Sequence, residues 1–168
     1  DGTVCTVVET NAWRGPFSVK GINLEFAKDP FDELWEGRPS LPLGKAEIMP
    51  EDIAGESVKS KLARLRSALI AEEVDGMLVT MLDEVAWLTN LRGSDVEYNP
   101  VVVAYMIVTL DDAVLYIDER KLVPEVLDYL KTQGISVAGY GDVWQALKEY
   151  DKATLLMQPS RCNVAAVK

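Results

Sequence analysis

The sequence predicts an α/β fold, a mixed β-sheet flanked by helices on both faces, and three observations lead to it. From Ser57 onward, short apolar runs alternate with segments of helical spacing, the order expected of a sheet covered by helices. The run from Val101 to Thr109 is almost entirely apolar, which suits a central strand buried on both sides. The Asp111-Asp112 pair joins that run to Ala113–Ile117 as a hairpin, so antiparallel and parallel neighbours mix in one sheet.

Taken in order, Thr3 to Val8 and Ile22 to Phe26 are β-prone, with Gly15-Pro16 and Gly21 as breaks between them. Asp29 and Pro30 open a short helix as cap and first helical residue, with Phe31, Leu34 and Trp35 on its apolar face. Gly37, Pro39, Pro42, Gly44, Pro50 and Gly55 interrupt residues 37–56, which reads as a linker or irregular wrap. Val58, Leu62, Leu65 and Leu69 then mark an amphipathic helix, with Lys59, Lys61, Arg64 and Arg66 expected on its outer face. Met77 to Thr80 is a short buried strand. Asp83 to Leu91 is a helix, with Gly93 as the left-handed cap just past its end. After the hairpin, Leu122, Val123, Val126, Leu127 and Leu130 form a helix stopped by Gly134. Strand Ile135 to Ala138, helix Asp142 to Tyr150 and strand Ala153 to Met157 complete the alternation. Trp87 and Trp144 are expected in the core, and Trp35 as an anchor of the linker. The organisation expected is a remnant of a first domain over 1–36, a linker over 37–56 and a second domain over 57–168.

Composition narrows the function classes. The chain has 168 residues, 48% of them hydrophobic and 26% charged, enough for a sizeable core. A net charge of −10 repels phosphate, so neither nucleic acid nor an anionic membrane is expected as a partner. There is no histidine, which excludes His-based triads and HExxH sites within the chain. Acidic pairs such as Glu51-Asp52 and Glu72-Glu73 fall at turns or helix ends and are read as solvated surface. Cys5 and Cys162 lack a CxxC spacing, and the expectation is reduced thiols in a reducing, cytoplasmic compartment.

The segment Asn90 to Pro100 is an unusual connector. It is polar and charged, yet lies between elements expected to be buried. Arg92 can fork onto a carboxylate. Ser94, Asp95 and Asn99 can fix the loop by hydrogen bonds to its backbone, and Tyr98 offers a flat amphipathic surface. Loops at strand ends of such sheets commonly carry ligands. The plain alternative is a self-capped loop entering a core strand.

The run Asp83-Glu-Val-Ala-Trp-Leu-Thr-Asn-Leu-Arg-Gly-Ser-Asp-Val-Glu-Tyr-Asn-Pro100 resembles one found in the aminopeptidases P (Xaa-Pro aminopeptidases) of the creatinase/prolidase superfamily. The segment from Asp29 to Pro42, with its Arg38-Pro39 linker, is similar to the end of their first domain. Gly55 to Arg66 looks like the opening helix of their second. The resemblance implies a creatinase N-terminal-like fold in the non-catalytic half of a metallopeptidase that releases the residue before a proline. It also implies a separate pita-bread catalytic domain holding two divalent metals, commonly manganese. None of the catalytic or metal-binding constellation is expected in this chain. The implied partners are a peptide with proline second, the protein's own catalytic domain and a second copy. By the same resemblance Arg92, Ser94, Asp95, Tyr98 and Asn99 face the substrate path or a domain interface. Arg92 and Tyr98 would line it, and Asp95 would hold Arg92 or the loop backbone. The alternative is a binding module of a catalytically dead relative, of the histone-chaperone type. A weaker one is a free-standing α/β domain that takes a small acid-sensitive or cationic partner. An orphaned edge in residues 1–36, with Phe31 and Trp35 exposed, is expected to invite pairing with another chain.

Overall fold

The computed structural model describes residues 4–27, 29, 31–150 and 153–167. The chain forms two compact units, one from residues within 1–41 and 158–168, the other from 42–157.

The larger unit is built on a five-stranded sheet of order β6-β5-β4-β2-β7. Its strands are β2 (Gly76–Val79), β4 (Ala104–Thr109), β5 (Ala113–Ile117), β6 (Ser136–Ala138) and β7 (Leu155–Leu156). β4 lies antiparallel to both β2 and β5, while β6 joins β5 and β7 joins β2 in parallel. Met106, Ile107 and Val108 point alternately to opposite faces, and all three are fully buried. Both faces of the central strand are therefore covered, as the apolar run predicted. The cover comes from α4 (Val58–Ala71), α5 (Leu82–Thr89), α6 (Pro124–Thr132) and α7 (Val143–Glu149). Val58, Leu62, Val85, Leu88, Val126 and Leu130 meet Leu115, Ile117 and Val79 in one core. The hairpin turn at Asp111-Asp112 is closed by the Thr109 amide donating to the Asp112 carbonyl at 2.9 Å.

Residues 42–56 carry more structure than a linker needs. β1 (Glu47–Ile48) pairs with β3 (Leu91–Arg92) in a small antiparallel sheet, and α3 (Glu51–Ala54) follows it. Gly55 ends α3 in the left-handed conformation at φ 77°, a position that suits a residue without Cβ.

The smaller unit departs from the sequence reading. Val7 and Val8 open a helix, α1 (Val7–Val19), where a strand from Thr3 to Val8 was expected; Thr3 itself lies outside the described residues. The cause is local. Thr6 and Glu9 form a reciprocal capping box: the Glu9 amide donates to Thr6 Oγ1 at 3.1 Å and the Thr6 amide to Glu9 Oε2 at 2.9 Å. Satisfying those end donors outweighs the weak β preference of two valines. Pro16, expected as a break, sits inside the helix. Ile22–Phe26 forms no strand. Among the described residues of this unit, strand-like pairing survives only as a bridge between Thr6 and Asn163, flanked by Val7 N to Cys162 O and Val164 N to Cys5 O, both 3.0 Å. α2 (Phe31–Leu34) starts beside Asp29, whose Oδ1 accepts from the Phe31 amide at 2.9 Å; Pro30 lies outside the described residues. Trp35 does not act as a buried anchor. It is exposed, with the Arg38 guanidinium 5.7 Å from its ring centroid.

Candidate functional site

Three segments converge to hold the Asn90–Pro100 loop. The first brace is the end of α5. Asn90, not Gly93, takes the left-handed cap conformation, at φ 53°. Asparagine tolerates that region, and its buried amide is bonded through both its nitrogen and its oxygen. Nδ2 donates to the Glu56 carbonyl at 3.0 Å, and Oδ1 accepts from Lys61 Nζ at 2.6 Å. Lys61 also donates to the Trp87 carbonyl at 2.7 Å and lies over the Trp87 ring. The ammonium thus sits at the negative end of the α5 dipole. Burial pushes its pKa below the ordinary lysine value; Glu56 opposes this, and Arg92 and Arg64 reinforce it. Lys61 was expected on the outer face of α4. The structure buries it instead, because an acceptor-rich helix end lies opposite.

Arg92 is part of the same brace. It is half-buried and donates to the carbonyls of Ala86 at 2.8 Å and Leu91 at 2.7 Å. It therefore ties β3 to α5 and does not meet Asp95. Gly93 is needed for closeness, not for an unusual φ: a Cβ there would lie 2.5 Å from Val102 Cγ1.

The second brace is Asp95, whose side chain is fully buried. Its Oδ2 accepts from the Val103 amide at 2.6 Å and forms an ion pair with Lys121 Nζ, itself 2% exposed. Oδ1 has no hydrogen-bond partner among the described residues. Of the two partners expected for Asp95, Arg92 is not met, and the backbone it holds is that of Val103, just past the loop. The third brace carries Lys121. Residues Glu119–Lys121 form a 3-10 turn capped by Asp118, whose Oδ1 accepts from the Arg120 amide at 3.0 Å. The Lys121 carbonyl accepts from the Ala46 amide at 2.9 Å, and Lys45 Nζ donates to the Arg120 carbonyl at 2.6 Å. Residues 44–46, 93–103 and 118–121 are thereby locked together around one buried ion pair.

The tip beyond these braces is a closed turn. The Asn99 amide donates to Val96 O at 3.1 Å, the Val101 amide to Asn99 O at 2.8 Å and the Asp95 amide to Val101 O at 3.3 Å. This pairing replaces sheet hydrogen bonds, which is why β4 begins at Ala104 and not at Val101. Tyr98 at the apex is 97% exposed and holds φ 62°, an unfavourable conformation for a bulky residue. Ser94 is exposed beside Gly44, and Asn99 contributes through its backbone.

Two aromatic expectations need correction. Trp87 is not core: it is 44% exposed and borders a shallow apolar pocket of about 140 Å³ lined by Leu65, Met77, Val79, Glu84 and Leu88. The stacked Arg64, 5.3 Å from its ring centroid, keeps it at the surface. Trp144 is half-buried, edge-on to Tyr105 with ring centroids 5.4 Å apart. Lys121 and Asn90 were missed from sequence. The only hint for Lys121 was a charge placed directly before the apolar Leu122-Val123 pair.

Among the described residues, no group of three or more His, Cys, Asp or Glu side chains is placed to hold a metal ion. No helix among them is long and apolar enough to cross a membrane.

A family profile described as the creatinase/prolidase N-terminal domain matches residues 37–168. Aminopeptidase P1 of Lotus japonicus is 41% identical over 138 residues, 81% of this chain and 21% of that protein. A probable Xaa-Pro aminopeptidase P of Coprinopsis cinerea is 38% identical over 158 residues, 93% of this chain and 25% of its own length. The chain thus spans only 21% and 25% of these relatives. The crystal structure of an X-prolyl aminopeptidase from Caenorhabditis elegans, described as a cytosolic enzyme with a di-nuclear active site, superposes with a TM-score of 0.92 at 26% identity. It covers 99% of this chain and 28% of its own.

Proposed function

The chain belongs to the creatinase/prolidase N-terminal domain family, and on that premise we propose that it is the non-catalytic N-terminal part of a metal-dependent Xaa-Pro aminopeptidase. Such an enzyme releases the N-terminal residue of a peptide whose second residue is proline. The chemistry is assigned to a catalytic domain outside this sequence, which spans 21% and 25% of those relatives, with manganese as the expected ion. Residues 1–36 are read as part of a first N-terminal domain, 37–56 as the connection and 57–168 as the second domain. The protein is read as cytoplasmic and homodimeric, with its own catalytic domain as the main partner of these surfaces.

Within that reading, the loop from Arg92 to Asn99 shapes access to the substrate path. One observation carries the assignment: Tyr98 is held nearly fully exposed in a left-handed conformation on a base of buried, ion-paired residues. Backbone strain and an exposed aromatic ring do nothing for the stability of this unit. They gather where a surface meets something else. Arg92 is a brace for that base, and Tyr98 is the contact.

The test uses a full-length polypeptide carrying this sequence, assayed on an Xaa-Pro-Xaa peptide with manganese and after chelation. Metal-dependent cleavage is the expected result. A folded, metal-supplied protein without activity would favour a binding module of the catalytically dead type. Tyr98→Ala should lower kcat/KM about tenfold, roughly 1.4 kcal/mol of transition-state stabilisation, with the melting temperature unchanged. Wild-type kinetics in that variant would remove the loop from the substrate path.

A further inference from the structure

We infer that Lys121 is a positioning residue: acting through Asp95, it sets where the Val96–Asn99 tip stands. The inference rests on the reading above for its functional consequence and on the buried ion pair for its mechanics. The Asp95 carboxylate is removed from water, and one of its oxygens finds no partner among the described residues. A buried anion held that way is tolerated only while its cation stays in place. The other oxygen carries two roles at once, accepting from the Val103 amide and pairing with Lys121. The same residue's backbone carries the base of the tip, since the Asp95 amide donates to the Val101 carbonyl. Lys121 has little freedom of its own. Its turn is capped by Asp118, and its carbonyl is tied to Ala46. The tip is therefore a short lever whose pivot is a charge pair supplied by a distant segment.

The geometry makes a specific demand on mutants. Lys121→Met strands the carboxylate in the interior, and the favourable response is for Asp95 to swing outward and carry the tip with it. Asp95→Ala combined with Lys121→Met strands no charge and removes both the pair and the acceptor for the Val103 amide, so it frees the tip without leaving an unpaired charge in the interior.

The first measurement is limited chymotrypsin digestion of this chain, following cleavage after Tyr98 with the melting temperature recorded in parallel. Lys121→Met is expected to speed that cleavage at least tenfold. If that variant does not fold, the double variant decides. Faster cleavage at a wild-type melting temperature supports the latch, and an unchanged rate overturns it. The second measurement places the double variant in the full-length polypeptide and compares KM with kcat on an Xaa-Pro-Xaa peptide. A KM raised at least threefold with kcat within twofold is expected of a displaced entrance, whereas general damage would lower kcat. A released tip with unchanged kinetics would leave the latch standing and refute its role in substrate access. An unmoved tip would refute the latch whatever the kinetics show.

Discussion

The two units put their apolar residues, 21 of 52 in the smaller and 60 of 116 in the larger, to very different effect. In the 42–157 unit, strands and helices lay their apolar faces against a common sheet, and Val58, Leu62, Val85, Met106, Leu115, Ile117 and Leu130 are all removed from water. In the 1–41 and 158–168 unit, α1 buries only Thr10, while Val8, Trp13, Val19, Phe31, Leu34 and Trp35 stay exposed. Composition contributes, and layering decides what is buried. A sheet with two faces gives every amphipathic element somewhere to go, whereas the described residues of the smaller unit offer α1 a β-bridge and no sheet. Local hydrogen bonds, such as the Thr6–Glu9 capping box, then carry order that packing carries elsewhere.

The largest expected effect tests whether packing is concentrated as described. Leu115→Ala, in the middle of β5, should cost about 3 kcal/mol, the range for a buried leucine truncated in a tight core. Leu34→Ser, on exposed α2, should change stability by less than about 0.5 kcal/mol. Urea unfolding of both variants checks this, and equal losses would break the contrast.

A second pair should differ in sign. Gly76 lies in β2 with a strand on either side, and a Cβ there would sit 2.7 Å from the Val108 carbonyl oxygen and 2.9 Å from Leu155 Cδ2. The near neighbour is backbone and cannot turn away, so Gly76→Ala should destabilise by about 1–3 kcal/mol. Pro16 lies in the last turn of α1 and removes one helical donor there. Pro16→Ala should raise helicity at 222 nm and stabilise α1 by about 1 kcal/mol. This is less than the ~3 kcal/mol of a mid-helix proline, because the end of the helix already frays. A loss of helix in Pro16→Ala would mean that the proline shapes a contact of that unit.

The same division explains what the sequence made legible. The strands of the main sheet and the four helices that cover it were readable, because periodicity reports burial directly and burial dominates there; β3 and the Glu119–Lys121 turn, too short for a period, were not. The misreadings at Thr3–Val8 and Gly15-Pro16 fall where little is buried and capping decides. Within the loop, Arg92, Asp95 and Tyr98 could be singled out by residue type, but their partners could not. Lys121 lies 26 residues from Asp95, and nothing local announces that the two share a buried pair. Asn90 looked ordinary because an asparagine cap is recognised by its φ, which a sequence does not print. Lys61 was assigned to the surface by a rule that holds for lysines facing water and fails for one facing a helix C-terminus.

The smallest effect separates the two units by their acid response. Each has a carboxylate at the surface that caps a turn. The Thr6 amide and hydroxyl hold Glu9 below the usual carboxylate value, and the Arg120 side chain and amide bring Asp118 down to about 2 from 3.8. A carboxylate depressed in the folded state contributes stability that is present above its unfolded pKa and lost as pH falls through the folded one. For Asp118 that window runs from 3.8 down to about 2. Both groups are solvent-screened, so each contribution is modest. Asp118→Asn should therefore melt slightly below wild type at pH 6, and the gap should close as the pH falls toward 2. Its tip should also be cut by chymotrypsin somewhat faster at pH 6, since Asp118 caps the turn that carries Lys121. Glu9→Gln should show the same closing gap below pH 4.5 in the helix signal, with Tyr98 cleavage unchanged. If the two variants altered cleavage at Tyr98 alike, the tip would be answering to general stability, and the Lys121 turn would lose its place as the specific support.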